Sequence, residues 1–311
     1  MGGNRVDVAA VSTPDDGQSA RGPAPPPGVT AAAPVPPRLW LFGVPVDVVT
    51  PVTALVRALA LVEAPPTGQA ALIFTPNPEA VMEARRDRAA QDVLAAADLA
   101  LPDGVGIVWA AAHAGRPLPA RVPGVDFMNQ LLEAAAVRGW PVYLLGAEPG
   151  VAERAAAAAA RLYPGLRVAG TAHGYFPPSA EAVAVAAVRA SGALVLFVGM
   201  GGARQHEFLY RHRAEFGGVR LAMAVGGSID VLAGVARRAP PAVRRLGLEW
   251  LWRLARDPRR WRRQLALPRF ALAVLAAGRS AAGQRPPGGG TGPASERIAG
   301  SAAGTRPRPR R

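Results

Sequence analysis

The chain contains no cysteine and no lysine, has only four histidines, and draws only 6% of its 311 residues from the aromatic types. Without cysteine there can be no disulfide framework, no thiolate zinc site and no thiol nucleophile. His113 and His173 stand alone, while His206 and His212 lie six apart on an expected helix and point in different directions, so no pair has metal-ligand spacing. No D-x-D triplet occurs either, and no metal or other cofactor is expected. If a diphosphate is released in the chemistry, its charge must then be met by arginines and helix N-termini. No stretch reaches the roughly 18 consecutive apolar residues of a membrane span; the run from Phe270 to Ala277 comes closest. Asp7 and the P-A-P-P-P-G run interrupt any signal-peptide pattern at the start. These absences predict a cytoplasmic protein that lies on a membrane without crossing it.

Half of the residues are hydrophobic and 19% are charged, enough apolar material for a full core. All 36 basic residues are Arg, against 22 acidic ones, for a net charge of +14. That excess is confined to one end. Residues 1–236 carry 18 Arg against 19 acidic residues, whereas residues 237–311 carry 18 Arg against only Glu249, Asp257 and Glu296. Such a basic end needs an anionic partner: nucleic acid, anionic lipid headgroups or a pyrophosphate.

Residues 1–37, rich in Pro, Gly, Ala and Ser, read as a disordered leader. From Leu39 onward short apolar runs alternate with longer Ala-rich stretches. The runs predict strands at Leu39–Gly43, Ala71–Thr75, Leu99–Leu101, Val142–Gly146, Arg167–Gly170, Leu194–Gly199 and Leu221–Val225. The stretches predict helices at Val52–Val62, Pro78–Ala96, Val105–His113, Val125–Arg138, Val151–Leu162, Ala180–Ala190 and Arg204–Phe216. Continuous apolar strands separated by helices imply an α/β catalytic domain over residues 38–236: a parallel, Rossmann-like sheet covered by helices on both faces. Ligands of such sheets bind outside the carboxyl ends of the strands. That rule selects Thr75-Pro76-Asn77, Leu101-Pro102-Asp103-Gly104, the Gly146–Gly150 turn, His173-Gly174-Tyr175-Phe176 and the Gly199–Gln205 turn.

Each of these has an ordinary structural reading too. Asp103 before Gly104 could be a helix N-cap or a general base at the sheet edge, and one role does not preclude the other. Thr75 and Asn77 could cap the helix at Pro78 or bind a sugar or phosphate. The Gly199–Gly202 turn could bring backbone N–H groups to a diphosphate, or be a plain left-handed turn. It is neither a P-loop, which needs Lys, nor a complete G-x-G-x-x-G.

Between Arg237 and Arg269 eleven Arg face only Glu249 and Asp257, with Val243, Leu246, Trp250, Leu251, Leu254, Trp261 and Leu265 interleaved at helical spacing. The pattern predicts a basic amphipathic helical appendage over residues 237–278, interrupted near Asp257-Pro258 and lying in a lipid interface. A helical hairpin packed on the core with a solvated basic face is the alternative. Residues 279–311 read as a disordered basic tail.

In order and spacing, the segments from about Leu39 to about Phe270 resemble the TagA/WecG/CpsF family of bacterial glycosyltransferases. The carrying motifs are G-V-P-V-D from Gly43, T-P-N-P-E from Thr75, L-P-D-G-V-G from Leu101, R-V-P-G-V-D from Arg121, L-L-G-A from Leu144 and H-G-Y-F from His173. After them come G-M-G-G-A-R-Q from Gly199, V-G-G-S-I-D-V-L-A-G from Val225, R-A-P from Arg238, L-E-W-L-W-R-L and D-P-R-R-W-R-R-Q. The resemblance implies an inverting, metal-independent transfer of an N-acetylmannosamine-like hexose. The donor would be a UDP-sugar, the acceptor an undecaprenyl-diphosphate-linked sugar at the inner face of the membrane, and the product a teichoic acid or other cell-surface polysaccharide. It implies Asp103 as base and Thr75 and Gln205 as catalytic partners. Asn77, Arg121, Gly146, Tyr175, Gly199 and Gly201 would line the substrates, and Arg253, Arg260 and Arg263 would bind the diphosphate. Where the family usually has P-K-Q-E, this chain has Ala203-Arg204-Gln205-His206, which keeps the charge and moves the carboxylate to Glu207.

Two other readings compete. A nucleic-acid-binding or scaffold protein explains the basic arm but not why Asp103, Gln205 and the glycine turns follow strands. A nucleotide-binding regulator would bind UDP without transfer. On the leading reading nucleic acid is not a partner. A homo-oligomer stays open, because a helical appendage can cover a neighbour as easily as its own core.

Overall fold

The computed structural model describes residues 34–256 and 261–283. Apart from residues 34–37, which take no regular structure, the expected leader lies outside them, as do Asp257–Arg260 and the tail beyond Gly283.

Six parallel strands form the main sheet: β3 (Ala71–Phe74), β4 (Leu99–Ala100), β5 (Pro141–Gly146), β6 (Arg167–Ala172), β7 (Val195–Gly199) and β8 (Leu221–Ala224), in the order β4-β3-β8-β7-β5-β6. Alternate residues feed two cores, as the two-residue period of a strand requires. Leu72, Phe74, Leu145, Leu196, Ala222 and Ala224 point to one face, and Ile73, Leu144, Phe197 and Met223 to the other. The first face is covered by α2 (Pro78–Ala84), α3 (Arg88–Ala95), α4 (Val105–His113), α7 (Glu181–Ala190) and α8 (Arg204–His212). The second is covered by α1 (Pro51–Glu63), α5 (Gly124–Arg138), α6 (Val151–Leu162) and α9 (Ser228–Leu232). The expected α/β architecture, with helices on both faces of a parallel sheet, is present.

The first expected strand belongs elsewhere. β1 (Arg38–Leu41) turns at Phe42 and Gly43, with φ of 50° and 82°, into β2 (Val44–Asp47), and the two pair antiparallel outside the main sheet. Two successive positive φ values make the tight hairpin turn that matches strand twist. Pro45 hides β2 from a sequence reading, but β2 is an edge strand, where a missing N–H is tolerated. Fully buried Asp47 fixes the hairpin to the body: it accepts from Arg38 Nε at 2.6 Å, Arg38 Nη2 at 2.9 Å and the Ala100 N–H at 2.7 Å.

Two expected helices are shorter than the pattern suggests. The Pro78–Ala96 stretch splits because Asp87 turns extended and caps α3 through the Ala89 N–H at 2.8 Å. The Arg204–Phe216 helix stops at His212. The basic segment is a series of short helices, α10 (Pro241–Arg245), α11 (Glu249–Arg256) and α12 (Trp261–Gln264), followed by α13 (Ala266–Ala277). Gly247, with φ 73°, makes the first break. Phe270 and Val274, one turn apart, bury α13 against α2 and α4, and the chain then returns as β9 (Ala282–Gly283) beside β1. No helix among the described residues is long and apolar enough to cross a membrane.

Candidate active site

The carboxyl ends of β3, β4, β5, β7 and β8 deliver most of the expected residues to one edge of the sheet. Thr75 follows β3 and Asp103 follows β4, and both reach the start of α5. A Cβ placed on Gly124 would stand 3.2 Å from Thr75 Cγ2 and 3.7 Å from both Thr75 Oγ1 and Asp103 Oδ2. The hydroxyl and the carboxylate oxygen are thus no more than twice that last distance apart, both against the first residue of α5. The Gly124 N–H donates to Asp103 Oδ2 at 3.5 Å. Asp103 does not cap α4: the N-cap is Gly104, without a side-chain bond. Its carboxylate is half-buried and faces α5. Asn77 does act as a cap, accepting the Ala80 N–H at 3.0 Å.

A second layer of charge surrounds this pair. Arg238 places both terminal nitrogens on Asp126 of α5, Nη1 on Oδ1 and Nη2 on Oδ2, the latter at 2.6 Å. The hydrogen bonds that Arg238 donates to Asp126 raise the Arg238 pKa above its ordinary value against the opposing effect of burial, and the negative charges of Asp126, Glu249 and Asp103 add to it. Arg121 Nη2 lies 3.8 Å from Glu249 Oε2 on α11. Arg238, Asp126 and Glu249 lie within quoted motifs but were given no role, because nothing local marks the ion pair between Arg238 and Asp126, residues 112 apart. The V-D of R-V-P-G-V-D and the R of R-A-P were the available signals.

The glycine turns form a backbone ledge beside the charges. The Ala147 N–H donates to Gly199 O and the Gly174 N–H to Ala147 O, each at 2.9 Å. Gly146, at φ 150°, leaves no room for a side chain next to Gly199, and a Cβ on Gly199 would meet Gly226 O at 2.6 Å. Gly201, at φ 70°, faces open space, and Tyr175 is exposed. Gln205 is buried, and its Oε1 accepts the Gly226 N–H at 2.9 Å, joining α8 to the turn after β8. Next to it His206 is buried edge-on against the Phe74 ring at 4.8 Å, and burial pushes its pKa down to about 4.

Among the expected diphosphate-binding arginines, Arg253 lies on α11 and Arg263 on α12, and Arg260 lies outside the described residues. No group of three His, Asp or Glu side chains among the described residues could hold a metal ion.

The arrangement joins a carboxylate, a hydroxyl, at least two guanidinium groups and a glycine ledge at the ligand-binding edge of an α/β sheet, as group transfer from a charged donor would require. The chain is 36% identical over 205 residues to the N-acetylglucosaminyldiphosphoundecaprenol N-acetyl-beta-D-mannosaminyltransferase of Bacillus spizizenii, covering 66% of this chain and 79% of that protein. The protein of the same name from Bacillus subtilis gives the same identity and coverage. That of Staphylococcus aureus is 35% identical over 207 residues, 67% of this chain and 80% of its own. The sequence profile described as "Glycosyl transferase WecG/TagA/CpsF family" matches residues 39–284, and the chain belongs to that family of glycosyltransferases.

Proposed function

We propose that the protein transfers an N-acetylmannosamine-type hexose from a UDP-sugar to an N-acetylglucosamine carried on a polyprenyl diphosphate, with inversion, in the synthesis of a cell-wall polymer. The observation that carries this reading is the meeting of Asp103 and Thr75 across Gly124, at the sheet edge where such folds bind ligands. The relatives' names supply the sugar and the lipid-linked acceptor.

In this reading Asp103 takes the proton of the acceptor hydroxyl as that oxygen bonds to C1 of the donor sugar. The bond from C1 to the diphosphate breaks on the opposite face, and its electron pair leaves with UDP. Thr75 positions the reacting groups, and Gln205 supports the Gly226 turn behind the ledge of Gly146, Gly199 and Gly201. Asn77 and Tyr175 line the rim. The developing charge on UDP is met by Arg121 and by Arg253, Arg260 and Arg263, with no metal ion taking part. The appendage brings those arginines to the site while its apolar side rests on an anionic membrane at the cytoplasmic face. Supporting this are Trp250, Leu251 and Trp261, whose side chains are exposed along α11 and α12.

The test is a panel of UDP-sugars offered with a polyprenyl-diphosphate-N-acetylglucosamine analogue, following UDP release. Asp103→Asn should lose turnover by roughly 10²–10⁴-fold, the usual contribution of a general base, while UDP binding survives. Near-normal turnover in that variant would remove Asp103 from the role.

A further inference from the structure

Arg238 stands where the body gives way to the short basic helices, and nothing in the proposed reaction yet uses it. Both of its terminal nitrogens are committed to Asp126, while its Nε–H is shielded from solvent and has no partner among the described residues. A two-pronged contact of this kind fixes the plane of a guanidinium as well as its position, which an ammonium on a flexible stem cannot do. Asp126 is the third residue of α5, and Gly124, the first, gives its N–H to Asp103. The clamp and the candidate base are therefore anchored on the same helical turn.

The charge around Asp103 is unusual. Asp126 comes from α5, Glu249 from α11, Arg121 from the loop before α5, and Arg238 from the segment before α10. Three carboxylates, Asp126, Glu249 and Asp103, share this corner. Arg238 feels all three. Because the pair is partly exposed, with 20% of the Arg238 side chain and 42% of that of Asp126 accessible, it is a poor source of folding stability. Position and charge are what it supplies.

We propose that Arg238 is a positioning residue for the transfer: clamped by Asp126, it holds a fixed positive charge that offsets the neighbouring carboxylates and keeps Asp103 ionised in its place against Gly124. This rests on Asp103 being the base. The clamp itself takes no proton and breaks no bond. It maintains the charge state from which Asp103 accepts the acceptor's proton.

The experiment compares the pH dependence of kcat/KM for UDP release in the full-length protein carrying Arg238→Gln, Arg238→Lys or Asp126→Asn, with thermal unfolding and UDP affinity measured alongside. Arg238→Gln removes that positive charge from the corner, so the acid limb should move up by about one pH unit, and loss of the clamp's hold on the site should lower kcat on the plateau above that limb about tenfold. Donor KM should change much less. Asp126→Asn breaks the same clamp but removes a negative charge, so its acid limb should stay or move down. Arg238→Lys should restore the acid limb but only part of kcat, because the charge returns without the fork. A merely structural clamp predicts the same change for Arg238→Gln and Asp126→Asn. An acid limb moving in one direction in both variants, or staying fixed in Arg238→Gln, would overturn the inference while leaving the base role intact if Asp103→Asn is inactive. An active Asp103→Asn would bring down the base role, and the inference with it.

Discussion

Gly146 and Gly199 approach so closely that a Cβ on the first would stand 2.4 Å from the carbonyl oxygen of the second. The two glycines end neighbouring strands, and a hydrogen bond from the Ala147 N–H to that same carbonyl closes the contact. Gly146→Ala should therefore force the two strand ends apart. Overpacking costs about 1–3 kcal/mol, and at about 2–4 °C per kcal/mol for a body of this size Tm should fall by roughly 2–12 °C. Calorimetry checks this, and an unchanged Tm would show that the ledge is softer than its geometry.

Thr75→Val keeps the shape against Gly124 and removes only the hydroxyl. Folding should be unaffected, while transfer should slow by roughly tenfold or more, consistent with loss of one hydrogen bond of about 1.5–3 kcal/mol to a charged or developing-charge group. Parallel measurement of Tm and UDP release separates the two effects.

His206 makes the fold sensitive to acid. Its pKa is about 4 in the folded state because burial disfavours the charged ring, against about 6.5 in an unfolded chain. The unfolded state therefore binds the proton first. Stability from this residue is complete above about pH 6.5 and is lost as pH falls from there toward 4, by up to about 3 kcal/mol. Denaturant unfolding between pH 7 and 4 should show the slope in the native protein and a weaker one in His206→Phe. Equal slopes would assign the acid sensitivity to other groups.

Asp47→Ala should be severe although the residue has no role in the proposed chemistry. It strands the Ala100 N–H and one side of Arg38, and breaking a buried pair from one side typically costs about 3–5 kcal/mol. Loss of soluble expression or a large fall in Tm is expected. A stable variant would mean that water replaces the carboxylate.

Deleting the chain after Arg237 cannot isolate membrane binding, because the cut also removes Phe270 and Val274 from the core. Trp261→Glu with Leu251→Glu changes exposed positions only. The double variant should keep its Tm, lose flotation with anionic liposomes and release UDP more slowly on lipid-linked acceptor. Undiminished flotation would place the contact elsewhere on the molecule.

Much of the body was legible because its strands are short, continuous and apolar, and each is followed by a cluster of Gly, Asp or Asn. Thr75 and Asp103 could be picked out on that pattern and do meet in space. Their meeting point could not, since Gly124 looks like any helix start. The β1–β2 hairpin escaped because Pro45 argues against a strand unless its edge position is known. Asp87 broke a helix that the apolar spacing alone would continue. Arg238 opens the R-A-P motif among 18 Arg after residue 236, but nothing in the sequence shows that its partner is the distant Asp126.

The return of Ala282 to the side of Leu41 has a consequence for the order of folding. During synthesis β1 is among the first strands made, yet its second edge has no partner until residue 283 has left the ribosome. An open strand edge is a template for wrong pairing, and contacts between residues so far apart form slowly. The small sheet can close only after α10 to α13 have been made, so a chain that stops short within them would carry a nearly finished body with an uncovered seam. Truncated or stalled products should then be recognised by that seam, and full-length protein should be the first form in which it is sealed.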